Sequence, residues 1–213
     1  MHTVITGANR GIGLEFCRQC RSEGQNVTAL CRESSEELKS LDVKIVEGVD
    51  VRTPPDLDDL STIDWLILNA GIWRDESLDD LNFETMTEQF EVNTLGPLRV
   101  LDKTLAKLKN GSKIIIITSR MGSIGDNTAG GRYGYRMSKA ALNSIGVSLS
   151  HDLKPRGVAV GIYHPGYVAT DMTRHLGTIS PQESVAGLLK CIHQLNLENT
   201  GSFWDFQFNK LPW

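Results

Sequence analysis

Four consecutive isoleucines, Ile114 to Ile117, restrict the fold of this chain more than any other segment. Side chains alternate between the two faces of a sheet, so a strand that is apolar at every position must be covered on both faces. The run extends over Lys113 to Thr118. Similar short runs occur at Val4-Ile5, Val27-Thr28-Ala29-Leu30, Val43-Lys44-Ile45-Val46, Trp65-Leu66-Ile67-Leu68 and Val158 to Tyr163, with amphipathic helical segments between them. Strands alternating with helices predict an α/β fold of Rossmann type, a doubly wound parallel sheet with helices on both faces. With 213 residues and 40% hydrophobic content, the chain is long enough to bury that core as a single domain over 1–213.

The first strand leads into a glycine-rich turn. Met1 to Thr6 reads as a β-branched strand, Gly7 to Gly13 as a turn, and Leu14 to Ser22 as the helix that follows. In Thr6-Gly7-Ala8-Asn9-Arg10-Gly11-Ile12-Gly13 the glycines are spaced Gly-x-x-x-Gly-x-Gly. Such glycines permit a tight turn and let backbone N–H groups approach a ligand. A helix N-terminus behind them favours the pyrophosphate of a dinucleotide. Sheets of this kind bind ligands beyond the carboxyl ends of their strands. Gly7, Asn69, Ser119 and Pro165 each follow a strand, so the topology predicts that they gather along one edge.

Tyr135 and Lys139 stand four residues apart, which places them on one face of a helix. A free phenol has a pKa of about 10, and a neighbouring ammonium is expected to draw it toward neutrality for proton exchange. The same spacing also arises when a tyrosine packs under a lysine stem.

Taken in chain order, the glycine turn, Asn69-Ala70-Gly71 after an apolar strand, Asn93 in a helix, Ser119 ending a strand, Tyr135-x-x-x-Lys139 and Pro165-Gly166-x-x-x-Thr170 resemble the short-chain dehydrogenase/reductase family. The resemblance covers Met1 to about Thr170 and is strongest to the small carbonyl-reductase branch that includes Sniffer and the C-factor proteins. It implies a catalytic set of Asn93, Ser119, Tyr135 and Lys139. In that set Tyr135 exchanges the proton, Lys139 holds the nicotinamide ribose, Ser119 donates to the oxyanion, and Asn93 positions a water through a helix irregularity. Ser123 competes with Ser119 for its role, because Asp126 to Arg132 contains a short insertion; Ser119 is favoured because it ends the isoleucine strand.

The resemblance further implies cofactor contacts from Gly7, Asn9, Arg10, Gly11, Ile12 and Gly13 in the turn, and from Asp50 and Val51 at adenine. It adds Asn69, Ala70 and Gly71 along the adenosine, and Pro165, Gly166, Val168 and Thr170 at the nicotinamide, beside Tyr135 and Lys139. Cys31-Arg32 stands where a carboxylate commonly excludes a 2′-phosphate, so Arg32, with Arg10 opposite, favours NADPH over NADH. The expected reaction is NADPH-dependent reduction of an aldehyde or ketone to an alcohol. The alternatives are a C-factor-like signalling protein that binds nucleotide with incidental turnover, and a dehydratase or epimerase using the same cradle.

The remaining features set bounds. A net charge of −4 with interspersed signs gives no footprint for nucleic acid or anionic lipid. No run of about 18 apolar residues is present, and no leader-like segment precedes the first strand, so a cytoplasmic location is expected. Cys17 and Cys20 have Cys-x-x-Cys spacing but no second pair or histidine cluster, which favours packing over metal binding. His164, before Pro-Gly, reads as strand-end packing. Pro54-Pro55 and Asp56 to Asp59 read as a helix entry and a solvated helix start. Only Asp171 to Ser180 occupy the place of a longer lid, which predicts an open substrate pocket bordered by Trp73, Met121, Tyr167 and Met172. Phe203 to Phe206 reads as a last strand. The helices around Phe90 to Leu108 and Tyr135 to Leu153 are the expected pairing surfaces of a homodimer or higher oligomer.

Overall fold

In the computed structural model, which describes residues 1–213, seven strands form one parallel sheet. They are β1 His2–Thr6, β2 Asn26–Leu30, β3 Lys44–Val46, β4 Ile63–Leu68, β5 Leu108–Ile117, β6 Ala159–His164 and β7 Phe203–Asp205. Their spatial order is β3-β2-β1-β4-β5-β6-β7. The chain winds outward from β1 through β2 to β3, then crosses back to lay β4 on the other side of β1. This reversal opens a crevice at the carboxyl ends of β1 and β4.

Helices α1 Gly11–Ser22, α2 Glu36–Lys39, α3 Phe83–Phe90, α4 Gly96–Thr104, α5 Tyr133–Leu153 and α6 Pro181–Gln194 cover the faces. Alternation along β5 divides the isoleucines as expected. Ile115 and Ile117 join the core beneath α1 and α6, while Ile114 and Ile116 join the core beneath α4 and α5. All four are at most 5% exposed, and burial of each stabilises the fold by about 1.5–3 kcal/mol relative to exposure. Cys17 and Cys20 belong to the α1/α6 core; burial drives both thiols above their ordinary pKa, Cys17 to about 12. All four cysteines are free. No helix is long and apolar enough to cross a membrane.

Two segments differ from the sequence expectation. Helix α1 begins at Gly11 rather than Leu14, because Gly11 and Gly13 carry no apolar side chain to mark the first turn, although Ile12 packs against the core. Residues 54–60 form an extended segment and a turn, not a helix. Pro54 and Pro55 have no N–H to donate. Leu57 and Leu60 bury against the α4/α5 core, and Asp56 is tied to Lys103 at 2.6 Å.

Candidate active site

A cleft of about 480 Å³ runs along the carboxyl edge of the sheet. Gly7, Asn9, Arg10, Gly11, Ile12, Arg32, Asp50, Val51, Asn69, Ala70, Gly71, Tyr135, Lys139, Pro165 and Thr170 line it. Segments separated by as many as 160 residues in sequence thus share one edge, as the topology requires. Gly13, Asn93, Ser119, Gly166 and Val168 do not line it. Arg52, Arg74, Glu88 and Asp171, which the sequence reading did not single out, line the cleft as well.

The glycine turn is closed by backbone contacts. A Cβ on Gly13 would stand 2.2 Å from the Gly7 carbonyl oxygen and 2.6 Å from Asn69 Nδ2; one on Gly7, whose φ is +64°, would stand 2.9 Å from Ala70 Cα. The Asn69 amide donates to the Thr6 and Gly7 carbonyls at 3.0 and 3.3 Å. Thr6 Oγ1 accepts the backbone N–H groups of Asn69 and Ala70. These bonds lock the ends of β1 and β4 together. No side chain caps the first turn of α1, unlike α3 and α6, which Asn82 and Ser180 cap. Its positive end, without a side-chain cap, borders the cleft, a donor set suited to the pyrophosphate of a dinucleotide.

Deeper in the cleft, the helix irregularity expected at Asn93 is a π-helical segment, Glu91–Leu95, between α3 and α4. It turns the Asn93 side chain inward, where Nδ2 donates to the Ile72 carbonyl and to Ser138 Oγ at 2.9 and 3.0 Å. Oδ1 accepts the Ile72 N–H at 2.8 Å. Lys139 Nζ donates to the Ile117 carbonyl at 3.1 Å and sits 5.8 Å from the centre of the Tyr135 ring. Ser119 Oγ accepts the Met121 N–H at 3.1 Å, and its hydroxyl exerts a downward pull on the pKa of the Tyr135 phenol. Ser123, 2% exposed, instead accepts the Asp126 N–H at 3.0 Å.

The expectation that Lys139 draws the Tyr135 phenol downward is corrected by burial. Burial pushes the Tyr135 pKa up to about 12, against a smaller downward pull from Ser119, and pushes Lys139 down to about 8. Both charged forms lose solvation in the same enclosed place. Tyr135 is therefore held as a protonated phenol at neutral pH, the form that a proton donor needs.

At the outer end, Asp50 lines the cleft, and Arg52, 2.6 Å from its carboxylate, holds it below the usual carboxylate range. Arg10 lies 3.5 Å from Asp171, with both side chains more than half exposed; such a pair contributes little and yields readily to an anion. Arg32 is exposed at the cleft wall. The lid segment is a single 3-10 turn, Asp171–Thr173. Beside it, Tyr167 and Met172 are exposed, Trp73 lies 5.7 Å from the Tyr135 ring, and Met121 is half-buried. Tyr135 and Lys139 were readable from spacing, and Asn93 and Ser119 only through the family resemblance. The Asp50-x-Arg52 pair left a local charge signal that went unread, while Arg74 and Glu88, which pair at 3.1 Å across fourteen residues of sequence, left none.

Comparison with known proteins agrees with this geometry. The chain is 38% identical to the 1-hydroxy-2-glutathionyl-2-methyl-3-butene dehydrogenase of Rhodococcus sp. (strain AD45), with 100% of both chains covered. It is 44% identical to the C-signal of Myxococcus xanthus over 71% of this chain and 93% of that protein. The structure matches an NADPH-bound carbonyl reductase from chicken fatty liver with a TM-score of 0.89 at 30% identity, over 100% of this chain and 98% of the other. The family model for short chain dehydrogenases matches residues 1–179. With the glycine cradle, the switch-point cleft and the Tyr135–Lys139 helix on one edge, the chain belongs to the short-chain dehydrogenase family of oxidoreductases.

Proposed function

We propose that this protein reduces the carbonyl group of an aldehyde or ketone with NADPH, and that Tyr135 delivers the proton. The observation that carries the reading is the Tyr135 phenol, buried beside Lys139 in the cleft that the glycine turn lines. Bound there, the nicotinamide supplies the hydride. Ser119 steadies the carbonyl oxygen as charge develops on it, and Tyr135 passes its proton to that oxygen. Lys139, held by the Ile117 carbonyl, holds the ribose hydroxyls. Asn93 fixes Ile72 and so the backbone that borders the nicotinamide end.

Exposed Arg32 and the readily released Arg10 support NADPH over NADH, since neither is committed to a strong partner. The fit to an NADPH-bound carbonyl reductase supports the same choice. The relative that is named for a glutathionyl alcohol adds glutathione-conjugated aldehydes to the substrates worth testing. A homodimer is supported by the exposed Phe83 and Phe90 on α3 and Tyr133 and Met137 on α5. The C-signal relative keeps a binding role in view. The test is NADPH consumption against aldehydes, ketones and quinones by wild type and Tyr135→Phe, with nucleotide binding followed in both. Turnover lost by about 10²–10⁴-fold with binding retained is the expected result. Equal turnover in the two proteins refutes the proton role, and binding without turnover in either favours the binding role.

A further inference from the structure

One buried carboxylate takes no part in the chemistry above. Glu76 is 5% exposed and lies on the loop that leaves the cleft after Asn69-Ala70-Gly71. No cation neutralises it: Arg132 sends its guanidinium to Asp75 at 3.2 Å instead. A charge buried in this way costs several kcal/mol unless hydrogen bonds compensate it, and here every bond comes from the two helices that frame Tyr135. Oε1 accepts Gln89 Nε2 at 2.6 Å and Thr85 Oγ1 at 2.9 Å, both from α3. Oε2 accepts the N–H of Gly134, the second residue of α5, at 3.3 Å, and the Glu76 backbone carbonyl accepts the Arg132 N–H at 2.8 Å.

Helix α5 needs this outside help. Its own N-cap position, Arg132, is in the left-handed conformation with φ +55° and makes no side-chain cap. The positive end of a 21-residue helix thus depends on a carboxylate from another segment. Gly134 allows the close approach, because a Cβ there would stand 2.5 Å from Gln89 Nε2 and 2.8 Å from Met86 Cα. Gln89, fully buried, also accepts the Arg74 N–H at 2.9 Å. The loop that carries Trp73 against the Tyr135 ring is therefore clamped at the same place. Tyr135 is the residue immediately after Gly134.

We propose that Glu76 is a positioning residue that caps α5 from outside and, through Gly134, sets the Tyr135 phenol against the cleft. This rests on the carbonyl-reductase reading for its kinetic readout and on geometry alone for its spectroscopic one.

The test is Glu76→Gln in the full chain, which keeps the shape but turns an amide N–H₂ toward a helix end that offers only donors. Turnover should fall about 10- to 100-fold, the scale of a catalytic group displaced by about 1 Å, while the NADPH dissociation constant changes less than about twofold. With tyrosine labelled at ¹³Cζ and assigned through Tyr135→Phe, the Tyr135 resonance should move and that of Tyr163, buried on the other side of the sheet, should not. Folded Glu76→Gln with wild-type turnover and an unmoved Tyr135 resonance overturns the proposal, as does a fall in turnover matched by loss of NADPH binding. If Glu76→Gln does not fold, Thr85→Val removes one donor alone; a smaller fall in turnover with unchanged NADPH binding is then expected, and no fall overturns the proposal. A wild type that turns over no carbonyl while the resonance moves sinks the carbonyl reading and leaves the positioning role standing.

Discussion

The two walls of the cleft are built differently. On the nucleotide wall, Gly7 packs on the Ala70 backbone and Gly13 on the Gly7 carbonyl and the Asn69 amide, and hydrogen bonds from Asn69 and to Thr6 tie β1 to β4. On the opposite wall, Thr170, Asp171 and Met172 line the cleft, and residues 120–132 and 167–180 put Arg132, Arg174 and His175 in the left-handed conformation and leave Ile124, Tyr167, Met172 and Leu176 exposed. A wall that holds an invariant ligand shape has few solutions, because the pyrophosphate needs N–H groups at a fixed distance. The other wall is freer, and strained backbone is tolerated there as it commonly is near functional sites.

The sharpest way to break this contrast lies where the walls meet, at the two serines. Ser119→Ala should lower turnover by about 10²–10³-fold, the effect of losing one donor to a developing oxyanion. Ser123→Ala, which removes an acceptor for a loop amide, should leave turnover within about threefold. Steady-state kinetics of both variants checks this, and the reverse order moves the chemistry to Ser123.

The walls should also respond differently to a change in bulk. Gly13→Ala forces a Cβ into the Gly7 carbonyl, so urea unfolding should show a loss of about 1–3 kcal/mol together with weaker nucleotide binding. Tyr167→Ala should change stability by less than about 0.5 kcal/mol while altering the KM for the carbonyl. A Gly13→Ala protein of wild-type stability would mean that the nucleotide wall is softer than described.

Selectivity offers a finer probe. Arg32→Ala should weaken NADPH binding by about tenfold, the lower end for a charge-assisted hydrogen bond, and leave NADH unchanged. Competitive binding of the two nucleotides measures it. Equal loss for both assigns Arg32 to general attraction instead of 2′-phosphate recognition.

The smallest effect concerns His164, at the end of β6 between the walls. Burial, aided by Arg120, lowers its pKa to about 4, while Asp205 and Asp126 pull it up. The unfolded chain binds this proton near pH 6.5 and the folded chain only near 4, so stability is lost as pH falls through that window and is constant above it. Urea midpoints between pH 7 and 4 should fall less for His164→Gln than for wild type. Parallel curves would mean that the imidazole is charged in the fold.

What the sequence disclosed follows the same division. Ile114 to Ile117 announced a central strand because burial on both faces leaves no polar position. The glycine turn was legible because only glycine satisfies its contacts. The Tyr135–Lys139 pair was legible through helical spacing, though its electrostatics were not. Lys139 was expected to lower the phenol, but burial, which spacing does not report, raises it, and the opposing pull comes from Ser119. Asp56 to Asp59 misled for a related reason, since acidic residues after prolines mark a helix start only when a helix fits before the next strand. Glu76 carried no local signal. Its partners Thr85, Gln89 and Gly134 lie 9, 13 and 58 residues away, and only the packing of α3 on α5 makes it a cap.

The most direct test follows the hydrogen itself. NADPH deuterated at the transferable C4 position would be incubated with the protein and a reducible aldehyde or ketone, and the alcohol product analysed by mass spectrometry. The account predicts one deuterium on the carbinol carbon with wild type and none above background with Tyr135→Phe, although both proteins bind the nucleotide. Alcohol formed without deuterium, or equal transfer by both proteins, would contradict it.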